Sequence, residues 1–272
     1  MKIGFIGVGN MGGAMVSGII KSKFMPASDV FITDYDVKKC DDLKSTYGVC
    51  VLNNIEEICI NCNIIVLAVK PFDYKNVMLE IKEACNEDEL KKKIIVSIAA
   101  GISMDYMEKI FMSSVKIVKT MPNTSAMVFE AMTGICRNNN VTEDELESVV
   151  KIFECVGKCK IISEKIMEVV PGISGSSPAY VYMFIEALAD GAVLEGMKRD
   201  DAYLFASQAV LGAAKMVLET GKHPGELKDM VCSPSGTTIE AVYSLERDNF
   251  RGAVMKALKV CTDKNRMMSN NK

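Results

Sequence analysis

The sequence predicts an α/β domain built on a parallel sheet, followed by an all-helical domain. As far as Val118, short apolar runs bounded by turns alternate with segments of helical spacing, a pattern typical of parallel sheets. From Ser163 onward no stretch has the pattern of a strand, and helical segments follow one another. We therefore predict two domains, residues 1–162 and residues 163–272.

A glycine-rich turn joins the first strand, at Ile3 to Ile6, to the first helix. The order strand, G-x-G-x-x-G, helix is typical of a Rossmann dinucleotide-binding domain. Gly7 permits the tight turn, Gly9 lets a pyrophosphate approach the backbone, and Gly12 allows close packing of helix on strand. Free N–H groups at the helix start suit the phosphates. The residues expected to bind the cofactor here are Gly7, Gly9, Asn10, Met11 and Gly12.

The composition argues against several classes of partner. With 32 basic and 35 acidic side chains the net charge is −3, which offers no field for nucleic acid or an anionic membrane. No stretch predicts a membrane span and no signal sequence is apparent, so we expect a cytoplasmic protein. Cys59 and Cys62 form a C-x-x-C pair, but the chain has one histidine, so we predict core packing and no metal site.

Five further strands are predicted, at residues 30–34, 49–51, 63–69, 94–98 and 115–118. The second ends at Asp34, near the position where an acidic residue meets the adenosine ribose. The alternative is that Asp34 caps the helix before Val37. An aspartate would repel a 2′-phosphate and so favours NADH over NADPH, although Lys38 and Lys39 are near enough to weaken that preference.

The fourth strand is followed by a second candidate cofactor segment. Ligands of parallel sheets lie beyond the carboxyl ends of the strands, so this segment is expected to line the cofactor. Its residues are Ala68, Val69, Lys70 and Pro71. Lys70 is either a phosphate or ribose contact or a solvated loop charge.

Several helix ends are marked by the residues that flank them. Ser103 is an expected N-cap, and Thr142 with Glu145 forms a capping box. Asp200 is the expected N-cap of a long helix that Gly221 ends. Pro224 suits the first position of a short helix. The predicted helices after Ser163 run over about 180–195, 200–219, 224–231, 237–245 and 249–267.

These C-terminal helices carry apolar residues on more than one face, as at Phe184, Leu188 and Leu194. A helix that is apolar all round is buried, and one small domain has few interiors to offer. We therefore expect a homodimer formed through this region.

Residues 233–238, Ser-Pro-Ser-Gly-Thr-Thr, join two predicted helices. Backbone N–H groups at the start of the helix from Thr237 suit an anion, which favours a substrate carboxylate site over an ordinary capped turn. Residues 174–179, Ser-Gly-Ser-Ser-Pro-Ala, form another stretch of small side chains. Either a nicotinamide or another helix could approach it closely.

The chain offers no clear proton donor for reducing a carbonyl group. Its one histidine, His223, precedes Pro224 and suits a helix cap. A cyclic imine needs less help, because its nitrogen is substantially protonated near neutrality and an iminium already accepts hydride. Such a substrate chiefly needs its carboxylate bound and its ring oriented.

The chain resembles the pyrroline-5-carboxylate reductase family over nearly its full length. The matching motifs are residues 3–12, 68–71, 121–124, 174–180, 223–229 and, most specifically, Ser-Pro-Ser-Gly-Thr-Thr-Ile at 233–239. The resemblance implies NAD(P)H-dependent reduction of 1-pyrroline-5-carboxylate to L-proline, the last step of proline synthesis. It also implies a Rossmann domain followed by a helical, 6-phosphogluconate dehydrogenase-like domain that dimerises by interlocking. Dimers of the family commonly assemble into a decamer of five dimers.

The resemblance also implies roles for individual residues. Ser233 and the backbone of Gly236 and Thr237 would hold the substrate carboxylate, and Thr238 would hydrogen-bond the ring nitrogen as the catalytic residue. The segment near the nicotinamide would consist of Met121, Pro122 and Asn123. The chain departs from the family pattern at Lys119, Ser125, Ser177 and Ser235. Ser235 matters most, because a backbone conformation suited to glycine is strained for serine.

Two other functions are compatible with these residues. One is a related reductase acting on a different imine or a β-hydroxy acid, although the proton-donor lysine expected of the latter is missing between Gly172 and Glu195. The other is a catalytically silent dinucleotide-binding regulator, against which Ser233 and Thr238 argue. NADH oxidation with pyrroline-5-carboxylate as the only added substrate would separate the three.

Overall fold

The computed structural model describes residues 1–111 and 114–270. Contacts within the chain group it into two compact units, residues 1–176 with 260–272 and residues 177–259. The first unit is α/β and the second consists of helices, which confirms the predicted fold class. The domain division after residue 162 stays a prediction.

One sheet of eight strands forms the centre of the first unit, in the order β3-β2-β1-β4-β5-β6-β7-β8. Its strands are β1 (Ile3–Ile6), β2 (Val30–Thr33), β3 (Cys50–Val51), β4 (Ile64–Leu67), β5 (Ile94–Ser97), β6 (Lys116–Met121), β7 (Ala131–Arg137) and β8 (Gly157–Ile161). All neighbouring pairs are parallel except β6 and β7. Because β1 lies between β2 and β4, the chain changes direction across the sheet beside β1, the place where such sheets bind ligands.

Helices cover both faces of this sheet. They are α1 (Asn10–Lys21), α2 (Val37–Tyr47), α3 (Ile55–Asn61), α4 (Tyr74–Ala84), α5 (Glu87–Leu90), α6 (Met104–Phe111), α7 (Glu143–Glu154) and α8 (Glu164–Met167). Strands buried on both faces are continuously apolar, as β4 is with Ile-Ile-Val-Leu. Cys59 and Cys62 lie in the core between α3 and the sheet, each only 2% exposed, which confirms the prediction of core packing.

The six predicted strands are all present, but β7 and β8 were not predicted. β7 contains Gly134 and Thr133 and has no continuous apolar run. β8, Gly-Lys-Cys-Lys-Ile, lies at the sheet edge with its lysines exposed. Lysine on an edge strand discourages pairing with other chains, and it also removes the apolar signal by which a strand is recognised.

The second unit contains α9 (Ser177–Leu194), α10 (Arg199–Thr220), α11 (Pro224–Met230), α12 (Thr237–Arg247) and the first part of α13 (Phe250–Asn270), up to residue 259. Gly221 ends α10 at φ +65°, and Pro224 begins α11, both as predicted. The prediction that Asp200 caps α10 is wrong. The extended N-cap residue is Lys198, and Asp200 lies in the first turn, where its charge still favours the positive end of the helix dipole.

Many large apolar side chains of the helical unit are exposed in the single chain. On α10 alone, Leu204, Phe205 and Leu218 are each about two-thirds exposed. Apolar exposure on this scale is typical of an interaction surface. Among the described residues, no helix combines the length and the apolar character needed to cross a bilayer.

Candidate active site

A cleft of about 640 Å³ opens at the carboxyl ends of β1, β2 and β4. This volume falls within the range of small-molecule and cofactor sites. Six of the predicted cofactor residues line the cleft: Gly7, Gly9, Asp34, Ala68, Val69 and Lys70. The other predicted cofactor residues lie outside its lining: Asn10, Met11, Gly12, Pro71, Met121, Pro122 and Asn123.

The three motif glycines differ in what surrounds them. Gly7 has φ +95°, and a Cβ there would lie 2.8 Å from the backbone of Ala68. A Cβ on Gly12 would overlap the carbonyl oxygen of Gly7. At Gly9, no heavy atom of the described residues comes within 4 Å of a Cβ position outside the immediate neighbours. Protein packing therefore explains Gly7 and Gly12, whereas Gly9 faces open space at the cleft.

The Asp34 carboxylate is bound by the backbone on both sides. Its Oδ2 accepts from the N–H of Val8 at 2.7 Å, and its Oδ1 accepts from the N–H of Asp36 at 2.9 Å. Asp34 therefore ties the glycine-rich turn to the end of β2. The residue at the N-cap position of α2 is Asp36, so Asp34 is not the helix cap of the alternative interpretation.

Three side chains at the rim of the cleft, those of Tyr35, Lys39 and Phe72, are not among the predicted cofactor residues. Tyr35 and Phe72 are 93% and 79% exposed and line the cleft. Lys39 also lines it, with its Nζ 3.1 Å from Asp36, a contact that raises the pKa of the lysine. An aromatic residue directly after the acidic residue of the second strand was the available signal for Tyr35.

Two of the family motifs come together beside the end of β6. The Asn123 side chain is buried, donates to the carbonyl oxygen of Ser174 at 2.8 Å and accepts from the N–H of Met132 at 3.3 Å. A Cβ on Gly175 would lie 3.2 Å from the Met121 side chain. The small side chains at 174–175 thus allow the 121–123 segment to pack closely against them.

The predicted substrate turn precedes α12 in the helical unit. Gly236 takes the N-cap position and supplies no side-chain cap, so the first N–H groups of α12 are left for another acceptor. A Cβ on Gly236 would overlap the hydroxyl of Ser233. Ser235 has φ +57°, in the left-handed region, as expected for a position that suits glycine. Thr237 and Thr238 form the first turn of α12.

His223 is an N-cap. Its Nδ1 accepts from the N–H of Gly225 at 3.0 Å at the start of α11. The exposed ring therefore has a structural use, in agreement with the sequence-based interpretation.

Comparisons with known proteins match both units. A family model described as pyrroline-5-carboxylate reductase dimerisation matches residues 164–268, and one described as NADP oxidoreductase, coenzyme F420-dependent, matches residues 2–101. The pyrroline-5-carboxylate reductase of Escherichia coli strain K12 is 46% identical over 98% of both chains. The solved structure of a pyrroline-5-carboxylate reductase from Coxiella burnetii has a TM-score of 0.92 at 34% identity, covering 98% of each chain. That of the Plasmodium falciparum enzyme with NADP bound has a TM-score of 0.87 at 33% identity, covering 99% of this chain and 98% of that one.

The fold, the cleft and these matches define an NAD(P)H-dependent oxidoreductase with a helical dimerisation region. Within that class, the chain belongs to the pyrroline-5-carboxylate reductase family.

Proposed function

We propose that this protein reduces 1-pyrroline-5-carboxylate to L-proline with NAD(P)H. The observation that carries the proposal is the turn at 233–238, where an uncapped helix start and several hydroxyl groups coincide in a chain of this family. The direct test is the oxidation of NADH or NADPH with pyrroline-5-carboxylate as the only added substrate. L-Proline formed in proportion to oxidised nucleotide supports the proposal, and nucleotide oxidation that ignores this substrate contradicts it.

The cleft beside β1 fits a dinucleotide. Open space at Gly9 lies at the start of α1, where N–H groups and the helix dipole favour a pyrophosphate. The exposed rings of Tyr35 and Phe72 at the rim offer flat apolar surfaces for an adenine. When bound, NAD(P)H supplies the hydride that the reduction requires. Asn10, Met11, Gly12, Pro71 and residues 121–123 remain predicted cofactor contacts.

The chain's own residues then have to bind and orient the substrate. The backbone N–H groups of Gly236 and Thr237, with the Ser233 hydroxyl, hold the carboxylate. The Thr238 hydroxyl bonds the ring nitrogen, which arrives protonated and becomes the amine of proline. The reaction then needs no side chain as a strong acid, because the iminium brings its own proton.

Cofactor preference follows from two side chains with opposite charge. Asp34 disfavours a 2′-phosphate by charge repulsion. Lys39 lines the same cleft but is paired with Asp36, so it could bind a 2′-phosphate only by giving up that ion pair. We therefore propose NADH as the better cofactor. Asp34→Ala should move the NADPH-to-NADH ratio of kcat/KM towards NADPH, and an unchanged ratio would exclude Asp34 as the discriminating residue.

We further propose a cytoplasmic homodimer formed through the helices from about residue 163 to 267, with five dimers as the larger assembly. The exposed apolar side chains of α9 and α10 support it, because they have no cover in the single chain.

A further inference from the structure

Buried hydroxyl groups join the carboxyl ends of three neighbouring strands. Tyr74, Ser97 and Thr120 belong to α4, β5 and β6, and all three are fully buried. Nothing in the proposed chemistry uses them. Buried hydroxyls are retained at little cost only when they are hydrogen-bonded, so their partners indicate what they do.

The Tyr74 hydroxyl is inserted between β4 and β5. The ladder of these parallel strands includes the bond from the N–H of Ile94 to the oxygen of Asn63, at 2.9 Å. Because such a ladder advances two residues at a time, it brings the N–H of Ile98 towards the oxygen of Leu67. The Tyr74 hydroxyl bridges this pair: it donates to Leu67 at 2.6 Å and accepts from Ile98 at 3.2 Å.

Ser97 and Thr120 extend the bridge to the next strand. The Ser97 hydroxyl donates to the Tyr74 oxygen at 3.3 Å, and the Thr120 hydroxyl donates to the carbonyl oxygen of Ser97 at 3.0 Å. Burial raises the pKa of Tyr74 to about 12, which keeps its hydroxyl protonated as a donor. The ends of β4, β5 and β6 are thus connected through side chains.

Two of the three connected strands, β4 and β6, lead into predicted cofactor segments. β4 continues directly into Ala68–Lys70, which line the cleft, and Tyr74 begins α4, which supplies Asn76 and Val77 to the same cleft. β6 ends at Met121, the first residue of the predicted nicotinamide segment. A hydroxyl placed between two strand ends holds them further apart than a direct ladder bond, so it fixes the spacing of the segments that follow.

We propose that Tyr74, Ser97 and Thr120 are positioning residues that set the spacing of the two predicted cofactor segments, 68–71 and 121–123. The inference rests on the proposed function for the identity of the ligand. Its test uses nucleotide binding alone, so that a failure of the pyrroline reaction and a failure of the positioning role remain distinguishable.

The experiment compares Tyr74→Phe with Tyr47→Phe. The first removes only the bridging oxygen, and the second is a matched control that loses the 2.8 Å bond to the Ser17 hydroxyl in the same unit. Dissociation constants for NADH are measured by nucleotide fluorescence without substrate, together with the free energy of unfolding. We expect Tyr74→Phe to weaken NADH binding about tenfold, and Tyr47→Phe to stay within about twofold of the parent protein.

A second pair keeps the test decisive if Tyr74→Phe does not fold. Thr120→Val removes the last hydroxyl of the bridge, whereas Thr120→Ser keeps it and should restore the parent affinity. Parent-like NADH binding in a folded Tyr74→Phe or in Thr120→Val would overturn the proposal. It would also be overturned if all the variants, including Tyr47→Phe, lost NADH affinity in proportion to their loss of stability, because the effect would then be general destabilisation.

Discussion

The Thr238 hydroxyl is the side chain on which the proposed chemistry depends most. It lies in the first turn of α12, just after Gly236, the N-cap residue that has no side chain to cap the helix. A hydrogen bond that strengthens as the ring nitrogen rehybridises contributes about 1–3 kcal/mol in a buried site. We expect Thr238→Ala to lower kcat/KM about tenfold to hundredfold, with NADH binding unchanged in a fluorescence titration.

Ser233→Ala is the comparison for that variant. The carboxylate that Ser233 holds changes little along the reaction, so this substitution should act mainly through KM. Full activity in Thr238→Ala would defeat the assignment. Complete loss of activity in a folded His223→Ala would also defeat it, since His223 is assigned the N-cap of α11 and no part in the chemistry.

Ser235 carries backbone strain within the substrate turn. Its φ of +57° lies in the left-handed region, which costs an L-residue about 1–2 kcal/mol relative to glycine. Ser235→Gly should therefore raise the free energy of unfolding by about 0.5–1 kcal/mol, after the entropy that glycine adds to the unfolded chain. Chemical denaturation measures this, and Ser235→Ala is the control that should give no gain. Equal stability of the glycine and alanine variants would show that the turn is not strained.

The residues predictable from sequence are those whose role is local. Gly7 and Gly12 follow a fixed motif because the turn itself demands them: Gly7 takes a φ of +95°, and a Cβ on Gly12 would overlap the carbonyl oxygen of Gly7. The hydroxyl of Tyr74 could not be assigned in this way. Its partners, Leu67 and Ile98, belong to different strands, and only the order of the strands brings them together.

Among the elements, α7 begins with the capping box that its sequence predicted. Thr142 accepts from the N–H of Glu145, and the Glu145 side chain accepts from the N–H of Thr142, which completes the predicted capping box. Thr142→Ala should lower the free energy of unfolding by about 1 kcal/mol. Ser148→Ala in the same helix is the control, because the Ser148 hydroxyl donates to the carbonyl oxygen of Asp144 in the preceding turn and caps no helix end. A cap variant as stable as this control would contradict the expectation.

The elements that sequence reasoning missed depend on distant neighbours. β7 runs antiparallel to β6, and its Gly134 lies opposite Met121 of β6. β8 is a strand because β7 lies beside it, since its own residues alternate exposed lysines with Cys159. Strands of this kind are fixed by the sheet they join, whereas β4 and β5 were predictable from their own apolar runs.

At the scale of the whole molecule, we expect the helical unit to pack against a second copy of the chain. Side chains such as Phe205, Leu211 and Leu218 on α10 are more than half exposed. We expect equilibrium sedimentation to give a dimer or a multiple of it at micromolar concentration. Phe205→Glu should shift that equilibrium towards monomer, whereas Lys215→Glu on the same helix should not. A stable monomer of the parent protein would contradict the proposed assembly.

In the proposed reaction, hydride passes from a nucleotide bound in the α/β unit to the C=N carbon of a pyrroline carboxylate. The most direct measurement uses NADH deuterated at both C4 positions, with pyrroline-5-carboxylate, and analyses the product by mass spectrometry and NMR. We expect L-proline with one deuterium, on the ring carbon that formed the C=N bond. Proline without deuterium, or no proline while the nucleotide is consumed, would contradict it.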